Sequence, residues 1–228
     1  MGKYYPIMLN IKGKSCKVIG GGRVAERKVT DLLKADSIVT VISPFITEKL
    51  LKYYNDGKIN LIEREYRYGD LNGSHLVYAA TDDREVNETC LKECREKGIL
   101  LNVVDKPDMC DFIVPSKITR GDLTITVSTN GKSPMLSSKI RKELENLFTE
   151  EYGDYLEILG DIREKVKADI QNIEKRRKVF RSLVYSDLFD RYLNGEDLDL
   201  KDELLSLCKA QGVEIDGEKR NNNRQQRE

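Results

Sequence analysis

With 228 residues, 39% of them hydrophobic and 34% charged, the chain can bury one large core or two modest ones. Its 39 Lys+Arg balance its 39 Asp+Glu, so no global basic field argues for nucleic acid. No apolar run approaches the roughly 20 residues needed to cross a bilayer, which argues against a membrane protein. The start, "MGKYYPIMLN", is too short and polar for a secretory signal, and Pro6 stands where a myristoylation motif needs Ser or Thr. Five scattered cysteines do not look like a disulfide framework. Cys90 and Cys94 sit one helical turn apart without further ligands at metal-site spacing, so no metal site is expected. These features point to the cytoplasm.

Along the first half, short apolar runs alternate with helical patterns. "CKVIG" (16–20) reads as a strand, and "VAERKVTDLLKA" (24–35) carries Val24, Val29, Leu32 and Leu33 at helical spacing. Strand 37–43, helix 46–57, strand 59–64, strand 75–81, helix 82–98 and strand 99–105 follow, the helices closed by glycine. Apolar strands alternating with helices predict a parallel sheet covered on both faces, a doubly wound α/β domain over residues 1–113. Residues 112–129 then read as two strands joined at "RGD", a turn rather than an adhesion motif. After Pro134 the pattern is almost wholly helical, with later helices expected around 186–194 and 200–211. The polar tail after 215 is expected to be disordered.

Three junctions carry chemistry. At the first, Gly20-x-Gly22-x-x-Ala25 follows a strand and opens a helix, the context that a dinucleotide fingerprint requires. Gly20 permits the tight turn, Gly22 lets a pyrophosphate approach the backbone, and Ala25 allows close helix–sheet packing. The phosphates would sit on the free amides of the helix start. The acid that usually grips the adenosine ribose is missing: the second strand ends at Ser43, with no Arg or Lys beside it for a 2′-phosphate. These residues slightly favour NAD over NADP.

The second junction is "NVVDKPDMCDFIVPS". Asp105 falls at the carboxyl end of the fifth strand, where doubly wound sheets bind ligands, although Asp before "KPD" also makes a good turn residue. Asp108 and Asp111 suit turn and cap positions, and Cys110 a small residue under the loop. The single histidine, His75, starts a strand and suits a structural role. In the third junction, "STNGKSPMLSSKIRKELE", Thr129, Ser133 and nearby amides could hold a carboxylate, or simply form a hairpin and cap. Lys117, Arg120, Lys132, Lys139 and Arg141 gather there, either as a site for a polyanionic substrate or as a solvated face. "EKRRK" (174–178) suits an exposed helix face better than a nucleic-acid patch.

Taken in order, "VIGGGRVAERK", "AATDDREVN", "NVVDKPDMCDFIVPS" and "VSTNGKSPMLSSKIRKELE" resemble the precorrin-2 dehydrogenase family. That family includes the N-terminal module of siroheme synthase and the bifunctional dehydrogenase–ferrochelatase. The resemblance runs from residue 4 to about 210. It implies a Rossmann-type domain over 1–113, a dimerisation segment over 114–150 and a helical domain over 151–215. The implied activity is NAD-dependent oxidation of precorrin-2 to sirohydrochlorin, on the route to sirohaem or cobalamin, with Asp105 as the essential carboxylate. Gly20, Gly22, Arg23, Val24, Ser43, Pro44, Thr81 and Asp82 would line the NAD site. Thr129 replaces a serine of some members, and Ser133, Lys117, Arg120 and Lys132 remain as candidate substrate contacts. An intertwined homodimer is implied, and no fused methyltransferase domain is expected. The resemblance leaves open a second activity, insertion of Fe²⁺ or Co²⁺ into sirohydrochlorin. A nucleotide-sensing partner of a haem-pathway enzyme is the reading from another class.

Overall fold

In the computed structural model, residues 4–213 are described; the tail after 215 lies outside them. Two compact units form, one from residues up to 115 together with 129–134, the other from 116–128 and 135 onward.

The first unit holds β1 (Ser15–Ile19), α1 (Arg23–Lys34), β2 (Ile38–Ile42), α2 (Glu48–Asn55), β3 (Asn60–Ile62), β4 (Leu76–Ala79), α3 (Arg84–Lys97) and β5 (Leu100–Val103). All five strands are parallel in the order β3-β2-β1-β4-β5, so the winding reverses at β1. Expected boundaries agree to within two residues. Helix α1 places Ala25, Val29 and Leu32 on one stripe that packs on one sheet face with Val18, Val39 and Val41. The other face packs Ile19, Val77, Leu101 and Val103 with Cys90 and Cys94 of α3. Asp83 caps α3 by accepting from the Glu85 and Val86 amides, and left-handed Gly98 ends it.

The chain does not run straight from β5 into a hairpin. Residues 110–112 double back along β5: the Asp111 amide donates to the Leu101 carbonyl at 2.8 Å, and its carboxylate accepts from the Leu101 amide at 2.9 Å. Asn102 Nδ2 donates to the Phe112 carbonyl at 2.9 Å. This covers the sheet edge, and pairing of the hairpin starts only at Ser116, after Pro115.

The second unit contains β6 (Ser116–Arg120) paired antiparallel with β7 (Leu123–Val127) around Gly121, at φ 51°. Helices α4 (Pro134–Leu147), α5 (Glu151–Asp169), α6 (Ile173–Val184), α7 (Leu188–Leu193) and α8 (Leu200–Ala210) complete the chain. The long helical stretch breaks between Leu147 and Glu151. There Arg120 donates to the last carbonyls of α4, Nε to Phe148 at 2.8 Å and Nη2 to Glu145 at 3.3 Å. Ile162, Val166, Leu183 and Leu204 form the core, with Phe189 stacked on Tyr155 at 4.0 Å.

Candidate active site

The parallel register puts Ile42, Ile19, Ala79 and Val103 in one row at the carboxyl ends of β2, β1, β4 and β5. The loops beyond that row therefore share one sheet edge. Two strand spacings separate β1 from β5, about 10 Å, so the turns after them face one crevice at the point where the winding reverses.

The turn after β1 is built around missing side chains. Gly20 lies at φ 108°, and a Cβ there would stand 2.3 Å from the Ala80 carbonyl oxygen. At Gly21 a Cβ would stand 1.9 Å from the Phe45 carbonyl oxygen, because the loop after β2 crosses directly over it. The Thr47 amide donates to the Gly21 carbonyl at 3.0 Å, while Thr47 Oγ1 donates to Glu26 Oε2 at 2.8 Å and caps α2 by accepting from the Leu50 amide. Lys49 lies 3.5 Å from Glu26 Oε1. The glycine turn is thus tied to α2 through groups of its own helix. The fingerprint pattern does not include Gly21, Glu26 or Thr47; the run of three glycines, one more than the fingerprint uses, is the signal for the first.

Gly22 differs from its two neighbours. A Cβ added there meets nothing within 4 Å, and Gly22 is the N-cap of α1 with no side chain capping the helix. Thr47 and Asp83 fill that role for α2 and α3. A bare N-terminus facing open space presents backbone N–H donors to an anion, the arrangement a nucleotide pyrophosphate fits. Arg23 and Val24 of the first turn are exposed. Ser43 is buried, and its hydroxyl donates to the Phe45 carbonyl at 2.6 Å, which holds the loop over Gly21; Pro44 beside it is exposed. Thr81 Oγ1 accepts from the Asp83 amide at 3.1 Å, and Asp82 points to solvent. Asn87 Nδ2 donates to the Thr81 carbonyl at 3.0 Å and leaves its buried Oδ1 without a partner.

Asp105 occupies a tight turn closed by the Lys106 amide on the Val103 carbonyl at 3.2 Å, with φ 60° in the left-handed region. Outside glycine that conformation costs about 1 kcal/mol, somewhat less for Asp and Asn. Its side chain is exposed, with no hydrogen bond or ion pair among the described residues. Cys110 lies beneath the loop, its thiol pushed up by burial and its Sγ 3.3 Å from the Val103 amide. His75 stands at the opposite, amino end of β4, away from this edge.

The remaining candidates divide between the units. Thr129 and Ser133 belong to the first, where Thr129 Oγ1 bonds both the amide and the carbonyl of Ser133, at 3.1 and 3.0 Å. Asn130 and Gly131, both at positive φ, make the turn between them, and exposed Lys132 donates its amide to the Thr129 carbonyl at 3.0 Å. Lys117 and Arg120 lie in the second unit. Lys117 is exposed, whereas the Arg120 guanidinium is occupied by the end of α4 and by Glu150 at 3.2 Å. Among the described residues, no three His, Cys, Asp or Glu side chains gather as a metal site. No described helix is long and apolar enough to cross a membrane.

A doubly wound parallel sheet with a glycine turn opening an uncapped helix defines an NAD(P)-binding protein. Three consecutive family models agree: NAD(P)-binding over residues 7–116, sirohaem biosynthesis protein central over 120–147, and sirohaem synthase dimerisation region over 151–207. The chain belongs to this sirohaem-biosynthesis family. It is 36% identical over 216 residues to the siroheme synthase of Ruthia magnifica, covering 93% of this chain and 46% of that protein. With the siroheme synthase of Thioalkalivibrio sulfidiphilus it shares 36% identity over 194 residues, 85% of this chain and 40% of the relative. The chain thus spans about half the length of the curated relatives it matches. The solved structure of SirC, a precorrin-2 dehydrogenase, has the same fold, with a TM-score of 0.77 at 23% identity over 91% of this chain and 100% of that one.

Proposed function

We propose that the protein oxidises precorrin-2 to sirohydrochlorin with NAD, for sirohaem or cobalamin synthesis, and that Asp105 is the general base. The observation that carries this reading is the sheet edge itself. An uncapped helix start suited to a dinucleotide and an unengaged carboxylate follow strands only two spacings apart, at the same carboxyl edge of the sheet. Relatives named siroheme synthase and the three consecutive family matches supply the substrate class. The end of β2 offers no Arg or Lys for a 2′-phosphate, which favours NAD over NADP.

When bound, NAD supplies the hydride acceptor. The chain's own part is to bind, orient and deprotonate. Amides of the first turn of α1, beside Gly22, Arg23 and Val24, would hold the pyrophosphate, and Ser43, Pro44, Thr81 and Asp82 would border the nucleotide. Loss of a hydride alone would leave a cation on the tetrapyrrole, so a proton must leave as well. Asp105 takes it. The left-handed turn holds this carboxylate free of internal partners, so it reaches the substrate without first breaking a bond. Thr129, Ser133 and Lys132, with Lys117 and Arg120, are the proposed contacts for substrate carboxylates. We infer a cytoplasmic homodimer built through the dimerisation region, which light scattering at micromolar concentration would test.

The deciding experiment incubates purified protein with precorrin-2 and NAD and follows absorbance. Formation of sirohydrochlorin with stoichiometric NADH is expected. Nucleotide binding without turnover would leave the nucleotide-sensing reading instead.

A further inference from the structure

Lys28, on the second turn of α1, serves neither the glycine turn nor the helix cap. It is half-buried, and its ammonium lies 4.9 Å from the centroid of the Tyr78 ring on β4. Tyr78 is itself buried and fixed edge-on against Phe112 at 5.6 Å, so the platform under the cation is rigid. Burial pulls this ammonium below the ordinary lysine value and Arg27 adds to the effect, while Asp31, Cys110 and Asp105 pull the other way. Yet no carboxylate is within ion-pair distance among the described residues. A partly desolvated lysine normally gains an anionic partner or turns its head fully into water. Lys28 does neither.

Its position indicates where the anion comes from. Lys28 is five residues past Arg23, about 7.5 Å down the helix axis from the start that suits the pyrophosphate. The contact with Tyr78 turns it towards β4, the strand next to β5 and the Asp105 turn. We propose that Lys28 binds a carboxylate of the tetrapyrrole substrate, its ammonium seated on the Tyr78 ring on the side of the sheet edge where Asp105 stands. This rests on the dehydrogenase reading and adds to it a residue that orients the substrate over the base.

The test compares wild type with Lys28→Met and Lys28→Arg. Sirohydrochlorin and NAD affinities are each titrated by fluorescence, and KM and kcat for precorrin-2 are measured separately. Lys28→Met should weaken sirohydrochlorin binding and raise KM by about ten- to a hundredfold, the loss of one charge-assisted bond, with kcat and NAD affinity nearly unchanged. Lys28→Arg should recover most of the loss. Tetrapyrrole affinity unchanged in a folded Lys28→Met variant would overturn the proposal. A fall in NAD affinity alone would do so too, assigning the lysine to a nucleotide phosphate. A wild-type chain that binds no sirohydrochlorin would remove the dehydrogenase reading along with it.

Discussion

Two carboxylates in the first unit are treated in opposite ways. Glu93 on α3 is fully buried and engaged on every side: it accepts from Tyr66 Oη at 2.5 Å, from the amides of Gly69 and Leu71 at 2.9 and 3.1 Å, and from Lys97 at 2.5 Å. It fastens the long connection between β3 and β4 to the helix behind it. Asp105, in the turn just beyond β5, is exposed, held at φ 60° and without a hydrogen bond or ion pair among the described residues. A chain that invests a carboxylate in structure satisfies all its lone pairs. One that keeps a carboxylate available accepts backbone strain and leaves it bare. Substitutions at the two positions should therefore separate stability from turnover.

The largest effect is expected at Asp105. Asp105→Asn keeps the shape and tolerates the left-handed turn, so folding and NAD affinity should hold while dehydrogenase turnover falls by about 10²–10⁴-fold. Asp105→Gly should lose as much activity yet melt at the same temperature or higher, because glycine relieves the strained φ. Asp36, also left-handed at φ 54°, is the control: Asp36→Gly should change stability in the same direction and leave turnover intact. If chelation of Fe²⁺ or Co²⁺ is also present, Asp105→Asn should impair it in the same assay. Turnover near wild type in Asp105→Asn would reduce Asp105 to a turn residue.

The mirror image is Glu93→Gln. It leaves Lys97 without its counter-charge and turns its NH2 donor either toward Tyr66 Oη and the Gly69 amide or toward the Leu71 amide and Lys97. Unfolding free energy measured in urea should fall by about 3 kcal/mol, with KM and kcat of the surviving folded fraction close to wild type.

A smaller, related contrast lies inside the glycine run. Gly21→Ala drives a methyl into the Phe45 carbonyl at 1.9 Å, so the loop after β2 must shift, at about 2 kcal/mol of stability and some nucleotide affinity. Gly22→Asp meets open space and should fold normally. It places a negative charge where the proposed site would take the pyrophosphate, and calorimetry should show NAD affinity down by about tenfold or more. Unchanged NAD affinity in a folded Gly22→Asp variant would show that the open space above Gly22 is not a ligand site.

The alternation of apolar strands with helices, the fingerprint at Gly20–Ala25 and the placement of Asp105 beyond a strand end were all legible in the sequence, because each follows from local periodicity or spacing. Cys110 also sits where it was expected, under the loop after β5, whereas Asp111 is no turn or cap residue: it pairs with both backbone groups of Leu101 along β5. What local pattern could not supply is who crosses whom. Gly21 is a glycine because of Phe45, twenty-four residues on, and Arg120 turned to the end of α4 rather than standing free with its basic neighbours. The break between α4 and α5 was hidden for the same reason: "LFTEEYG" carries no Pro, and its Gly153 lies within α5, packed so closely on the hairpin turn that a Cβ would meet Arg120 at 3.0 Å.

The smallest expected effect is in acid stability, and it sharpens the opening contrast. The hydrogen bond from Arg64, at 2.7 and 2.8 Å through both nitrogens, outweighs the opposing effect of burial and, with the Arg67 amide, holds the Asp70 carboxyl below its usual range. For Glu93, burial alone would push the carboxyl up, but Lys97, Tyr66 and the Gly69 amide together bring it below the ordinary value. A carboxylate depressed in the folded state adds stability that is fully present above its unfolded pKa, about 3.9 for Asp and 4.3 for Glu. That contribution is lost as pH falls through the lower folded value. Urea midpoints of the wild type should therefore be flat in this respect near neutrality and drop below about pH 4. In Asp70→Asn the neutral-pH midpoint should be slightly lower, since Arg64 is partly exposed and the pair is screened by solvent. The gap from wild type should close as pH falls, because acid removes from wild type what the substitution has already removed. A gap that stayed constant down to about pH 3 would show that Asp70 contributes through its neutral hydrogen bonds and not through its charge.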